Sequence, residues 1–290
     1  MLSIVVCSRT STINKILSQN IEDTIGCAYE LIVIDNSENQ YSIFEAYNLG
    51  IERSKGEYLC FIHDDILFHT VGWGNILLKT FKNNQFIGLI GIAGAKSKTK
   101  MPSAWWDCPS DSKAINILQH FTDKTREKER WNIGFEKAKN VEVVVIDGVF
   151  MAMRKDDRIH FNDEISGFHN YDLNISLEYI NYGFKNIVTN EILLEHFSFG
   201  NIDKSWYEST FKIHKIYSES LPRIIGDYWK LEEVKSVEIK NAKKFINQCL
   251  GFKQYKLAIL VWLKLFRLAP FLKYHLRFWF DFVIQIVKKC

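Results

Sequence analysis

The run of residues 58–68 constrains the fold of this chain more than any other stretch. Its first five side chains are apolar or aromatic, and His63, Asp64 and Asp65 follow before apolar residues resume. A short run without polar side chains predicts a strand that is buried on both faces of a sheet. Because an unpaired buried charge is costly, carboxylates at its end indicate a divalent cation or the edge of a crevice. The alternative is a solvated turn, since turns rich in Asp are common.

Two strand–helix units precede this strand, and together they predict a parallel sheet. Strands are expected over residues 3–7 and 30–35, and helices over 13–19 and 43–54, the first of them capped by the polar residues 8–11. A strand that returns to the same sheet through a helix does so by a right-handed crossover and lies parallel to its neighbour. The predicted fold class is therefore α/β, with helices flanking a mostly parallel central sheet.

Polar side chains follow the carboxyl ends of all three predicted strands. Ligands bind at that edge of an open parallel sheet. The residues concerned are Ser8 and Arg9, Asp35 and Asn36, and Asp64 and Asp65. Their convergence at one edge favours a binding site over three unrelated solvated turns.

The middle of the chain continues the alternation and then changes character. Further strands are expected over 86–93, 141–146, 149–153, 185–189 and 192–196, with helices over 75–81 and 173–182. Residues 96–139 are polar and irregular in pattern, which is typical of a lid or a binding loop. Trp105 and Trp106 in this insertion either stack on a sugar ring or a base, or pack into the core.

The C-terminal part is predicted to be helical and is far more basic than the rest. The chain is divided into residues 1–204 and a helical region, 205–290, with helices over 206–220, 234–250, 255–268 and 271–289. The formal net charge is +3, yet residues 251–290 carry eight Lys or Arg against a single acid. Such basic amphipathic helices either lie on an anionic bilayer or pack with a solvated basic face. The larger part lacks an extended basic face, which argues against nucleic acid as a partner.

The composition excludes several other classes of protein. The six cysteines are scattered and form no CxxC pair, so we expect reducing surroundings without a disulfide framework or a zinc site. No apolar run reaches the ~18 residues that a membrane span requires, and a predicted strand stands where a signal peptide would be. These features predict a cytoplasmic protein that is soluble, or peripheral to the inner face of the plasma membrane.

The order of these motifs resembles the family 2 glycosyltransferases, which have the GT-A fold, over residues 1–200. The most specific part consists of residues 46–50, 55–57 and 61–65, which resemble the family's succession of Asn-x-Gly, Gly-Glu and DxD motifs. This resemblance implies a Rossmann-like central sheet with a nucleotide-sugar site at its edge.

Four other segments extend the resemblance. Residues 3–10 are similar to the opening strand and its polar end, and 30–39 to the strand whose acids contact the nucleotide base. Residues 167–183 are similar to the acceptor-side segment with the catalytic carboxylate, and 195–196 to the late histidine.

Three residues depart from the family pattern. His63 stands where the DxD motif commonly has its first Asp, and Asn36 where a second acid is frequent. Tyr171 stands where a second carboxylate would precede Asp172. These changes leave metal affinity and base preference open, whereas Asp65 and Asp172 retain the essential chemistry.

The resemblance implies a metal-dependent, inverting glycosyltransferase. It would move a sugar from a nucleotide-diphosphate donor, with Mn²⁺ or Mg²⁺ as the cation, to a hydroxyl of a glycan or lipid-linked acceptor in surface polysaccharide synthesis. Two alternatives stay open. A sugar-1-phosphate nucleotidyltransferase would need a Gly-rich loop that residues 8–11 lack, and a non-catalytic binding protein would use the same scaffold.

The resemblance also implies a role for each candidate residue. Asp172 would be the general base that takes the proton of the acceptor hydroxyl. The donor side would consist of Asp65 as the principal metal ligand, His196 as a metal or diphosphate contact, Asp64 at the ribose, Arg9 at the phosphates, Asp35 and Asn36 at the base, Asn48 in support of the base pocket, and Ser8 in the same site.

Overall fold

The computed structural model describes residues 1–121, 128–198, 200, 202–226 and 229–287 of the chain. The helices are α1 (Lys15–Thr24), α2 (Ile43–Arg53), α3 (Trp73–Asn83), α4 (Tyr171–Asn181), α5 (Lys204–Ile216), α6 (Leu231–Gly251), α7 (Tyr255–Leu268) and α8 (Tyr274–Val287). The strands are β1 (Leu2–Ser8), β2 (Tyr29–Asp35), β3 (Tyr58–Ile62), β4 (Ile66–Phe68), β5 (Ile87–Gly91), β6 (Ala93–Ala95), β7 (Ser97–Lys98), β8 (Lys113–Gln119), β9 (Glu129–Ile133), β10 (Asn140–Val143), β11 (Val145–Ile146), β12 (Phe150–Arg154), β13 (Lys185–Thr189), β14 (Leu194–His196) and β15 (Arg223–Ile224).

The larger sheet has seven strands in the order β10-β13-β5-β12-β3-β1-β2. β1 pairs in parallel with both β2 and β3, and β13 pairs in parallel with β5. β12 and β10 run antiparallel to their neighbours in this sheet. Five of the seven strands point in the same direction, and the prediction of an α/β fold with a mostly parallel central sheet is confirmed in this sense.

A second sheet has the order β11-β6-β8-β14-β4, with β9 paired to β8. The chain passes from one sheet to the other at Ile92 and again at Val144, and both residues are fully buried. The strands predicted over 86–93 and 141–146 are consequently each divided between the two sheets. An unbroken apolar run does not reveal such a division, because the halves on either side of it are equally buried.

The prediction that residues 96–139 are irregular is wrong where β8 and β9 lie, and residues 122–127 of this range are outside the described residues. β8 and β9 form an antiparallel pair, and β8 also lies parallel to β14. Asn116 in β8 is fully buried, where its amide donates to the Ile192 carbonyl at 2.6 Å and its oxygen accepts from Arg130 at 2.5 Å. Polar side chains that satisfy one another inside a sheet obscure the alternation that marks a strand.

Several helix ends differ from the sequence-based expectation, among them those of α1 and α8. α1 begins at Lys15, because the side chain of Asn14 accepts a hydrogen bond from the Ile16 N–H, and residues 8–11 do not cap it. An N-cap of this kind stabilises a helix by about 1 kcal/mol. Of the helix predicted over 271–289, α8 covers the central part, and residues 288–289 lie outside the described residues.

The core explains why β3 carries no polar side chain. Leu59 and Phe61 pack into one apolar cluster, while Cys60 and Ile62 pack into another on the opposite face. Gly50 in α2 permits the close approach of that helix to β1, since a Cβ there would lie 2.3 Å from a methyl carbon of Val5. β3 is thus held firmly up to Ile62, and the polar residues that follow begin where the core ends.

The C-terminal helices share a third apolar cluster. Phe245 of α6, Val261 of α7 and Phe278 of α8 are buried in it together with Met101 and Ala104, from the segment between β7 and β8. The division of the chain after residue 204 stays a prediction. None of the helices in the described ranges is long and apolar enough to cross a membrane.

Candidate active site

Three side chains from two strand ends converge beyond the carboxyl end of β3. β4 and β14 pair antiparallel with Ile66 opposite His196, and this register brings His196 beside Asp65. Asp65 Oδ1 lies 3.6 Å from His196 Nε2 and 3.8 Å from His63 Nδ1. One ligand atom from each of the three side chains lies within 4.8 Å of the others. The sequence predicts Asp65 and His196 at this place, and His63 is a third donor.

The two imidazoles and the carboxylate form a set of donors that fits a divalent cation. Mg²⁺ prefers oxygen ligands, whereas first-row ions such as Mn²⁺ also accept imidazole nitrogen. Burial lowers the pKa of His196, which favours the neutral ring that a metal requires. These donors could therefore hold Mn²⁺ more readily than Mg²⁺.

The outer nitrogen of each imidazole is engaged by a neighbouring side chain. His63 Nε2 lies 2.7 Å from the hydroxyl of Tyr171, and His196 Nδ1 lies 3.1 Å from Gln119 Oε1. Gly148 leaves room for Tyr171, because a Cβ there would lie 2.3 Å from the tyrosine hydroxyl. Two of the three departures from the family pattern, His63 and Tyr171, are thus hydrogen-bonded to each other.

Asp172 lies in the first turn of α4 and has a raised pKa. Burial of the carboxyl group and the nearby charge of Asp147 raise the pKa of Asp172 to about 7. The backbone N–H of Leu173 donates to Asp172 Oδ1 at 2.8 Å and opposes this rise. A carboxylate that titrates near neutrality can take a proton from a substrate hydroxyl, so Asp172 is suited to act as a general base.

Asp147 brings a second carboxylate into the same site, between β11 and β12. Its Oδ1 accepts from the Val149 N–H at 2.9 Å, and its Oδ2 accepts from Trp105 Nε1 at 2.7 Å. Trp105 packs against both apolar clusters of the sheet, whereas Trp106 is exposed. Trp105 therefore packs into the core, whereas Trp106 remains accessible for stacking.

Glu195 is buried next to His196, and its charge is compensated. Although burial opposes ionisation, hydrogen bonds from His120, His69 and Lys128 lower the pKa of Glu195 to about 2. His120 Nε2 lies 2.5 Å from one carboxylate oxygen, and His69 Nε2 lies 2.7 Å from the other. An ionised Glu195 thus anchors β14, the strand that carries His196.

Residues 3–225 match the model of a family described as "Glycosyltransferase like family". The chain belongs to this family. The match covers β2 to β15, all of β1 except its first residue, and every residue of the site described above. It confirms the resemblance to glycosyltransferases that the sequence motifs indicate.

Several solved structures are similar to this glycosyltransferase-like protein at low sequence identity. GalNAc-T7 with UDP, GalNAc and Mn²⁺ is 11% identical with a TM-score of 0.49, over 82% of this chain and 54% of that one. S. aureus TarS 1–349 in complex with UDP-GlcNAc is also 11% identical, with a TM-score of 0.49 over 92% and 88%. A197 from STIV is 12% identical, with a TM-score of 0.36 over 68% and 86%. No curated protein matches the chain significantly.

In this glycosyltransferase-like protein, the predicted donor-side residues of β1 and β3 contact one another. The guanidinium of Arg9 pairs with both carboxylate oxygens of Asp64, at 3.0 and 3.4 Å. Ser8 is buried, and its hydroxyl accepts from the Thr10 N–H at 3.2 Å. The ion pair joins two strand ends, while the contacts of these residues with phosphate and ribose stay predictions.

Asp35 and Asn36 form the turn after β2, as the sequence predicts. Asp35 is exposed, and the N–H and hydroxyl of Ser37 lower the pKa of its carboxyl group. The side chain of Asn36 is buried and exchanges two hydrogen bonds of 2.9 Å with the backbone of Tyr41. Asn36 therefore shapes the turn, and Asp35 is the side chain that faces outward from it.

Asn48 lies on α2 and holds a distant segment in place. Its amide donates to the Phe161 carbonyl at 2.8 Å and to Asp163 Oδ1 at 2.9 Å, and its oxygen accepts from the Phe161 N–H at 2.9 Å. The hydrogen bonds of this side chain are thus made to the scaffold. Its predicted support of a base pocket stays a prediction.

Sequence reasoning assigned no role to several residues of this site. Asp147 carries the same signal as the acids after β3, an acid between two apolar strands, so its place in the site could have been predicted from the sequence. Gln119 and Tyr171 carry no such signal. Each becomes part of the site only because strand pairing or helix packing places it beside a histidine.

Proposed function

We propose that this protein is a metal-dependent nucleotide-sugar glycosyltransferase that inverts the configuration of the transferred sugar. The donor is a nucleotide-diphosphate sugar, the cation is Mn²⁺ or Mg²⁺, and the acceptor is a hydroxyl group of a glycan or a lipid-linked glycan in surface polysaccharide synthesis. Membership of a glycosyltransferase-like family supports this proposal.

One observation carries the proposal. The metal donors His63, Asp65 and His196 form one set, and Tyr171, which is hydrogen-bonded to His63, directly precedes Asp172, whose carboxyl group has a pKa of about 7. A cation site beside a base that titrates near neutrality supplies both parts of a sugar transfer: stabilisation of an anionic leaving group and removal of a proton.

The transfer is a single displacement in this proposal. A cation held by His63, Asp65 and His196 would stabilise the negative charge of the departing diphosphate. The acceptor oxygen forms a bond to the anomeric carbon while the bond from that carbon to the diphosphate oxygen breaks. Asp172 takes the hydroxyl proton, and the nucleoside diphosphate leaves with the electron pair. Asp147 keeps Asp172 a stronger base than a solvated carboxylate, because its charge disfavours the ionised form.

The test is a calorimetric screen of UDP-, GDP- and dTDP-sugars with and without Mn²⁺. We expect one nucleotide class to bind with Mn²⁺, and Asp65→Ala to weaken that binding by about 100-fold, because it removes the carboxylate ligand. Asp157→Ala, a change of an exposed acid outside the site, serves as the matched control.

This screen, an assay of sugar transfer and an assay of pyrophosphate release together separate the alternatives. Metal-dependent turnover that is unchanged in Asp65→Ala would contradict the proposed site. Absence of donor binding across the panel would favour a non-catalytic scaffold. Release of pyrophosphate from a nucleoside triphosphate and a sugar 1-phosphate would favour a nucleotidyltransferase.

We also propose that α7 and α8 lie on an anionic membrane at the cytoplasmic face, where lipid-linked acceptors are found. Leu276 and Phe280 of α8 are 80% and 68% exposed, and Val283 continues the same face of the helix. Phe271, in the turn before α8, is 97% exposed. Lys273 and Arg277 are exposed in the same segment, and Arg277 also pairs with Asp281 at 3.4 Å. An apolar strip bordered by basic side chains is the composition with which amphipathic helices bind anionic bilayers.

A further inference from the structure

We infer that Gln119 is a positioning residue that keeps the proton of His196 on Nδ1 and thereby directs Nε2 at the metal. The inference rests on the proposed metal site and extends it to a residue that touches neither the cation nor the substrates. It follows from which atoms near Gln119 can donate a hydrogen bond and which can only accept one.

The neighbours of Gln119 determine the orientation of its side-chain amide. Nε2 lies 2.8 Å from the carbonyl oxygen of His120 and 2.8 Å from that of Ser198. A carbonyl oxygen accepts hydrogen bonds and cannot donate them, so the NH₂ group must face these two atoms. The amide oxygen, Oε1, therefore faces His196 Nδ1 at 3.1 Å.

This orientation decides the tautomer of His196. Because Oε1 of Gln119 can only accept, Nδ1 of His196 carries the hydrogen. In a neutral imidazole the other nitrogen then has the free lone pair. That nitrogen, Nε2, lies 3.6 Å from Asp65 Oδ1 and 3.4 Å from the Ser198 hydroxyl. It therefore faces the proposed metal site.

Without Gln119, the charge of Asp65 would favour the opposite tautomer. A carboxylate attracts a hydrogen on the nitrogen that faces it, and an Nε2–H could not bind a cation. Gln119 is buried, and the parallel pairing of β8 with β14 places it directly opposite His196. The pairing of these two strands therefore holds the Gln119 side chain beside His196. Such partners of metal-binding histidines set the orientation and the tautomer of the ring.

His63 offers a contrast within the same site. Its Nε2 lies 2.7 Å from the hydroxyl of Tyr171, which can either donate or accept. Both tautomers of His63 are satisfied by this partner. Tyr171→Phe is consequently a matched comparison, since it removes one hydrogen bond from the other imidazole and leaves the partner of His196 intact.

The first measurement is the tautomer of His196 in metal-free protein with ¹⁵N-labelled histidine. Long-range ¹H–¹⁵N correlation distinguishes Nδ1–H from Nε2–H, and the signals of His196 are those that His196→Asn removes. We expect Nδ1–H in the wild type, in Tyr171→Phe and in Gln119→Glu with a protonated carboxyl group, whose O–H donates to one of the two carbonyls while its other oxygen accepts from Nδ1. We expect a shift to Nε2–H in Gln119→Leu.

The second measurement is the affinity for Mn²⁺ by calorimetry. Gln119→Leu should weaken binding by about 10- to 100-fold, and Gln119→Glu, which keeps an acceptor for Nδ1, should bind more tightly than Gln119→Leu. If Gln119→Leu retained both the Nδ1–H form and the wild-type affinity, the inference would be overturned.

Two further outcomes keep the inference separate from folding and from the proposed function. Should Gln119→Leu fail to fold, Gln119→Glu decides, because an Nε2–H form of His196 in that variant would contradict the role of the acceptor. A wild-type protein that binds no Mn²⁺ would overturn the proposed metal site, and the tautomer measurement would still decide what Gln119 does to His196.

Discussion

The candidate active site and the helices α7 and α8 both depart from the usual distribution of polar and apolar groups. The site draws charged groups away from solvent, whereas the helices expose apolar ones. At the site, Asp147 and Asp172 are carboxylates drawn from solvent and lying close together. On α8, large apolar side chains such as Leu276 and Phe280 are exposed. Burying charge is costly, and exposing apolar surface costs about 25 cal/mol per Å². Such costs indicate binding regions, of a polar ligand in the first case and of an apolar surface in the second.

The two regions also differ in how their unfavourable groups are held. At the site, Trp105 donates to Asp147 and the Leu173 N–H donates to Asp172, so both carboxylates are oriented before any ligand arrives. On α8, the exposed apolar side chains project into solvent from a helix that packs through Phe278. The site is thus preorganised by internal contacts, whereas the exposed surface of α8 would be covered only by the membrane that we propose for it.

Asp172→Asn is expected to have the largest effect, because it removes the proposed base. Turnover should fall by about 10³-fold while donor affinity stays unchanged. The folded state retains a proton on Asp172 up to about pH 7, whereas the unfolded chain loses it near pH 4, so wild-type stability falls across this window. Thermal unfolding should therefore show the variant gaining stability over the wild type as the pH rises from 4 to 7, with a constant difference above that range.

Asp157→Asn is the control for that substitution, because it makes the same change at an exposed acid. If Asp172→Asn turned over at the wild-type rate, Asp172 would not be the catalytic base. A stability difference that does not grow with pH would contradict the raised pKa of Asp172.

Asp147→Asn is expected to have an intermediate effect, on the pH dependence of turnover. In the profile of kcat against pH, the midpoint of the acidic limb is expected at about pH 7. It should move to lower pH by about one unit in this variant, because loss of the neighbouring charge lowers the pKa of Asp172. Trp105→Phe removes the same Trp105–Asp147 hydrogen bond and keeps the charge, so its limb should stay in place. Equal shifts in both variants would show that the hydrogen bond, and not the charge, controls the base.

The double variant Leu276→Glu, Phe280→Glu is expected to leave catalysis on a soluble acceptor unchanged. Cosedimentation with phosphatidylglycerol vesicles should weaken by about 10-fold, because two exposed apolar side chains are replaced by charges that anionic lipids repel. Val71→Glu changes an exposed apolar residue on the other part of the molecule and should bind as the wild type does. Binding that survives the double change would show that α8 does not contact the membrane.

The sequence by itself determined the features that depend on neighbouring residues. Apolar runs and the residues that end them located β1, β2 and β3, and helical periodicity located α7 with its bounds. The positions of Asp65 and Asp172 could be predicted because an acid after an apolar strand or at a helix start is visible locally. The family followed from the order of these motifs along the chain.

Only the tertiary structure decided which distant residues meet. The pairing of β4 with β14 brings His196 to Asp65, and the pairing of β8 with β14 brings Gln119 to His196. The contact of His63 with Tyr171 spans 108 positions. Register is set by packing over the whole sheet, and a pKa is set by burial and by charges from other segments, so neither is contained in a local pattern.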